Sequence, residues 1–178
     1  MSSVALALAL SACGGTLVGA PDIPDGWEVH ESSEIGYLMA HPPDWDVELE
    51  AAGLEDVFTG PDGTEIRVVG FVVEEGWAAD ILFQTGESDA EDRFGAPPDV
   101  VNELTLADGA RVLIFASQYT DDRGAFLFQR AVVLAPPVDL WYVDWYSDIG
   151  DEGGDRQRFL EFVESFDPAP LLPGRQGA

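Results

Sequence analysis

The sequence predicts an α+β domain in which helices are layered on a mainly antiparallel sheet. Three observations carry that expectation. Short runs of alternating or continuous apolar residues recur between positions 27 and 146. Turns rich in Gly, Pro and Asp separate most of them, so chain neighbours pair as hairpins. Near the end the spacing becomes helical, with Phe159, Leu160, Phe162, Val163 and Phe166 three or four residues apart.

The pattern at 27–30 alternates and opens a strand, and 35–40 forms a second that His41-Pro42-Pro43 ends. Strict alternation marks 45–49. Val57-Phe58, the corner Gly60-Pro61-Asp62-Gly63 and 64–73 read as a hairpin. Residues 77–83 predict a short helix with Trp77 and Ile81 on one face, and the acidic stretch 87–99 a long loop. Residues 100–106 and 111–119 flank an Asp-Gly turn and form another hairpin. Two more strands follow at 125–135 and 140–146, separated by Pro136-Pro137. A helix is expected over 151–165, with Asp151, Glu152 and Asp155 favoured at its positive N-terminus and Asp167-Pro168 as its stop. The expectation is six or seven strands with two helices.

Composition narrows the function. Hydrophobic residues make up 46% of the 178 positions, enough for a packed core despite the charge. Acids number 34 against 8 basic residues, all of them Arg, for a formal net charge of −26. Such a surface repels nucleic-acid phosphate and anionic headgroups, which excludes nucleic acid as a partner. Cations and basic protein surfaces are the electrostatically permitted partners. The acids otherwise form a solvated coat suited to a saline setting.

The N-terminus indicates where the protein works. Val4 to Leu10 is an apolar run too short to span a bilayer, and it leads into Leu10-Ser11-Ala12-Cys13. Cys13 is the sole cysteine, so no intrachain disulfide forms. The stretch resembles the lipobox of bacterial lipoproteins, although Met1-Ser2-Ser3 lacks the positive charge that opens such signals. The resemblance implies cleavage after Leu10, Ser11 and Ala12 and a lipid anchor on Cys13. Residues 1–12 are then a signal peptide and 13–25 a Gly/Pro-rich tether. The folded domain spans 26–167, and 168–178 is a frayed tail.

Within the domain, Tyr37-Leu38-Met39-Ala40-His41-Pro42-Pro43-Asp44-Trp45 and the ending Ser165-Phe166 resemble the PsbP-like families. These include a photosystem II accessory protein, a Ran-binding relative and bacterial lipoproteins. The resemblance implies an α-β-α sandwich around the antiparallel sheet and an accessory or binding role. It carries no shared active site.

The residues themselves point to no catalytic set, no cofactor and hence no enzyme. His30 and His41 have no third ligand at zinc spacing, and no nucleophile or phosphate-binding motif is present. The weak metal candidate is the acidic run Asp148, Asp151, Glu152 and Asp155, which lacks EF-hand spacing. The candidate ligand face is Tyr142, Asp144 and Tyr146, on the opposite side of their strand from Trp141, Val143 and Trp145. It forms a binding surface if that side of the sheet is incompletely covered. The expected function is that of a non-catalytic binding or accessory protein, anchored by lipid at the extracytoplasmic face of the cell membrane. Its expected partner is a protein or another envelope component. The alternative is binding of a cation or small ligand.

Overall fold

The computed structural model describes residues 21–50, 55–73, 78–95, 97–106, 109–120, 124–135, 139–150 and 152–168. Leu10, Ser11, Ala12 and Cys13, and residues 169–178 of the expected tail, lie outside these residues, whereas Pro168, its expected first residue, forms part of a strand.

Alternating segments pair through their nearest neighbours. β3 (Asp46–Glu50), β4 (Glu55–Thr59) and β5 (Glu65–Val72) form a meander. So do β6 (Asp99–Thr105), β7 (Arg111–Thr120), β8 (Ala125–Ala135) and β9 (Asp139–Asp148). β9 then pairs with β5 and joins the two meanders into a seven-stranded antiparallel sheet of order β3-β4-β5-β9-β8-β7-β6. A second sheet has the order β1-β2-β10, with β1 at Glu28–Ser32, β2 at Tyr37–His41 and β10 at Asp167–Pro168. The sequence pattern does not anticipate this small sheet. Asp167-Pro168 does stop the helix, but the extended pair also hydrogen-bonds along Leu38 and Tyr37. Proline is tolerated there because β10 is an edge strand.

One face of the large sheet is fully packed. α2 (Glu152–Glu164) lies on it together with the small sheet. The helical stripe places Phe159, Phe162 and Val163 in a core with Trp45, Trp141 and Trp145, all buried. Burying each large side chain is worth about 1.5–3 kcal/mol, so this layer holds most of the hydrophobic stabilisation. The Ser-Phe ending has a structural task. Ser165 Oγ donates to the Phe162 carbonyl at 2.8 Å and accepts the Ala40 N–H at 3.0 Å, tying α2 to β2. Phe166 stacks on Tyr37 with ring centroids 5.1 Å apart.

The opposite face carries α1 (Ala79–Phe94), which is longer than its sequence pattern suggests. Residues 87–94, expected as loop, complete the helix, and Gly95 caps it in the left-handed conformation at φ 77°. Leu82, Gly86 and Ala90 recur every four residues on its buried side. The stripe is hard to see because its middle is small and its outer side acidic. Gly86 is required there. A Cβ would lie 2.6 Å from Val132 Cγ2, so only glycine lets the helix approach β8 this closely. α1 covers β7 and β8. Among the described residues, no helix lies over the half of this face formed by β9, β5, β4 and β3, and this half is the candidate site.

Candidate functional site

Three opposed strands set the site's central row. Register pairs Arg67 on β5 with Asp144 on β9, and Asp144 with Arg130 on β8. Arg130 and Asp144 each interrupt an apolar strand, and the pleat turns both toward α1. Arg130 grips Asp144 through Nε to Oδ1 and Nη2 to Oδ2, both at 2.6 Å. Its Nη1 reaches Asp89 of α1 at 2.5 Å and the Gly86 carbonyl at 3.4 Å. The guanidinium lies 4.3 Å from the Tyr142 ring centroid. Burial works against its charge, but the bonds to Asp144 and Asp89 outweigh that and raise its pKa above the ordinary arginine value.

The next row belongs to Tyr146. Its hydroxyl accepts a hydrogen bond from Arg93 Nη1 at 2.6 Å, and Arg93 also approaches Asp144 at 3.7 Å. Burial, followed by the Asp144 charge, pushes the Tyr146 phenol well above its usual pKa, although Arg93, Arg130 and Arg67 oppose the shift. Burial likewise raises Tyr142. Both phenols therefore stay neutral near neutral pH and remain hydrogen-bonding hydroxyls. Across β5, Arg67 Nε donates to Glu65 and its Nη1 to Glu55 at 3.4 Å.

These side chains line an open cavity of about 830 Å³. Val69, Phe71 and Tyr142 form its apolar end, and Phe71 rests on Tyr142 with centroids 4.9 Å apart. Arg67, Arg93, Tyr146 and Asp148 form its charged end, beside the rings of Tyr119 and Phe126. The sequence-derived residues Tyr142, Asp144 and Tyr146 therefore meet in one cavity. Asp89, Arg67, Arg93 and Arg130 join them and were not anticipated. A signal existed for one pair: Arg130 and Asp144 are solitary opposite charges in two neighbouring apolar runs.

The structure distributes the acidic run differently. Asp148 lines the cavity, whereas Asp155 accepts a 2.8 Å bond from Ser147 Oγ, which in turn accepts from Trp145 Nε1 at 3.0 Å. Asp155 thus anchors α2 to β9. Asp151 and the Glu152 side chain lie outside the described residues. Among the described residues, no group of three or more His, Cys, Asp or Glu is placed to hold a metal ion. His41 ends β2, its Nδ1 2.9 Å from the Pro42 carbonyl. His30 contacts buried Asp56 at 3.1 Å, and the Tyr37 hydroxyl donates to the same oxygen at 2.7 Å. Burial raises the Asp56 pKa, but the bonds from His30, Tyr37 and Ser32 outweigh it and hold the carboxyl below its usual value. This cluster joins the two sheets.

No protein-family model matches the chain, and no curated protein does. Solved structures do. Cyanobacterial PsbP (CyanoP) from Synechocystis matches with TM-score 0.59 and 16% identity, over 89% of this chain and 98% of that one. The Saccharomyces cerevisiae Ran-binding protein Mog1p matches with TM-score 0.56 and 12% identity, over 80% and 95%. LpqN, involved in cell envelope biogenesis of Mycobacterium tuberculosis, matches with TM-score 0.54 and 13% identity, over 81% and 91%. A Bacteroides thetaiotaomicron structure matches with TM-score 0.57 and 12% identity over 80% of this chain, which spans only 48% of that one. At such identities the likeness is one of architecture, and the architecture shared with CyanoP, Mog1p and LpqN is the PsbP-like fold.

Proposed function

We propose that the chain is a non-catalytic binding or accessory protein of the cell envelope, anchored through a lipid on Cys13 at the extracytoplasmic face of the membrane. The observation that supports the binding role best is the half of the sheet that no described helix covers. One face is sealed by α2 and the small sheet, while β9 and β5 present a cavity of paired charges and half-buried aromatics. The fold shared with LpqN, a protein of cell envelope biogenesis, agrees with an envelope setting. The anchor itself rests on Leu10-Ser11-Ala12-Cys13.

Detergent-phase partitioning of the full chain expressed in a bacterium, beside a Cys13→Ala form, tests the anchor. The wild type enters the detergent phase and the variant stays aqueous, because acyl chains contribute about 0.8 kcal/mol per buried CH₂. A wild type that stays aqueous with residues 1–12 attached contradicts the anchor. Capture from intact envelopes tests the role, and failure to retain any specific partner contradicts it.

The second reading is a cation or small ligand on the acidic run 148–155 or on Tyr142, Asp144 and Tyr146, and for a cation on the latter face one geometric fact weighs against it. Arg130 already occupies the Tyr142 ring and both Asp144 oxygens.

A further inference from the structure

The uncovered face has a direction. α1 packs on β7 and β8, and its row Ile81, Thr85, Asp89 and Arg93, at every fourth residue, forms the wall beside β9. Three of those four line the cavity. From Ile81 to Arg93 the wall runs about 18 Å at 1.5 Å per residue. β5 supplies the facing side with Phe71, Val69, Arg67 and Glu65, and β9 the floor. One end is apolar and open: Phe71 is 39% and Ile81 49% exposed. The other end carries Glu65, Arg93 and Asp148 beside the rings of Tyr119 and Phe126.

Charge gives the face its second property. Strand alternation puts Asp46 and Glu48 of β3, two strands from β5 and beyond the cavity lining, on the side of Glu55, Glu65 and Asp148. The register row Glu48, Val57, Arg67, Asp144 shows this directly. Arg67 answers Glu55 and Glu65, but Asp46, Glu48 and Asp148 form no ion pair among the described residues. Local and overall charge therefore have the same sign.

We infer that this face docks an extended segment of a partner protein, basic along its length with a large apolar residue at the end that meets Phe71 and Ile81. The inference rests on the reading of the chain as a binding protein and names the partner's chemistry. About five extended residues span the trough. The open, partly polar walls suit a peptide, whose backbone can hydrogen-bond, better than an acyl chain, which needs an enclosed apolar tunnel.

The test is fluorescence anisotropy of labelled synthetic peptides against the full chain. A peptide with a terminal Leu followed by Arg-rich residues binds saturably, and its Glu-for-Arg counterpart at least tenfold more weakly. Phe71→Ala, and separately Asp46→Asn with Glu48→Gln, each weaken binding about tenfold, or about 1.4 kcal/mol. Glu161→Gln with Glu164→Gln on α2 leaves it unchanged, provided circular dichroism shows all variants folded. Equal weakening by the α2 changes reduces the effect to diffuse attraction by the anionic surface and overturns the inference. So does equal binding of the acidic peptide, or no saturable binding of the basic one. An envelope partner retained undiminished by the Phe71→Ala and Asp46/Glu48 variants overturns the inference while leaving the binding role intact.

Discussion

Arg130 and Asp144 face each other across β8 and β9, joined by two 2.6 Å hydrogen bonds with each residue at most 5% exposed. The pair divides the face in two. Through Asp89 it pins α1 over β7 and β8, and it bounds the region left open. Arg130→Met alone strands the Asp144 carboxylate in a buried site and is expected to cost about 3–5 kcal/mol. Replacing both, as Arg130→Met with Asp144→Leu, costs clearly less because no buried charge is left unpaired. Urea unfolding reads the difference, and a single variant within 1 kcal/mol of wild type contradicts the clamp.

Gly86 makes a separate claim about the approach of α1. Alanine is the better helix former by about 1 kcal/mol. A Cβ there meets Val132 Cγ2 at 2.6 Å. Gly86→Ala is therefore expected to be net destabilising, by about 1–2 kcal/mol, and to cost clearly less when made in a Val132→Ala background, where the clash is gone. Denaturation midpoints of the two variants decide it.

Asp56 gives a pH dependence with a definite sign. Its folded-state pKa lies below the ordinary value of 3.8. The stability it contributes is complete above that unfolded-state value and is lost as pH falls through the lower folded one. Burial, reinforced by Asp56, holds the Tyr37 phenol protonated, so it remains a donor throughout. Tyr37→Phe should cost about 1–3 kcal/mol at neutral pH and move acid unfolding to higher pH. An unchanged acid midpoint would show that Asp56 does not depend on this bond.

The net charge of −26 predicts a salt response. Screening relieves self-repulsion, so the melting temperature rises with sodium chloride. Calcium at equal ionic strength should raise it no further. A distinctly larger calcium shift would instead favour a discrete cation site.

The strands were legible because hydrophobic alternation and Gly/Pro/Asp turns are local signals, and β9 reads as it folds, with Trp141 and Trp145 on one side and Tyr142 and Tyr146 on the other. The second half of α1 was not, because Gly86 and Ala90 weaken the stripe and the acids of 87–92 resemble a loop. The small sheet escaped too, since two-residue β10 gains its partner only when α2 folds back onto β2. The site was half legible. Tyr142, Asp144 and Tyr146 share a strand face, whereas Arg67, Asp89, Arg93 and Arg130 come from three other elements, and no local spacing announces their meeting.

The most direct test of the proposed binding role places a photocrosslinking residue at Val69, in the cavity wall, or at Gln157, on the outer side of α2, in the full chain within living envelopes. A discrete protein adduct at position 69 and none at 157 is the expected result. Adducts at 157 alone, or none at either position, would contradict it.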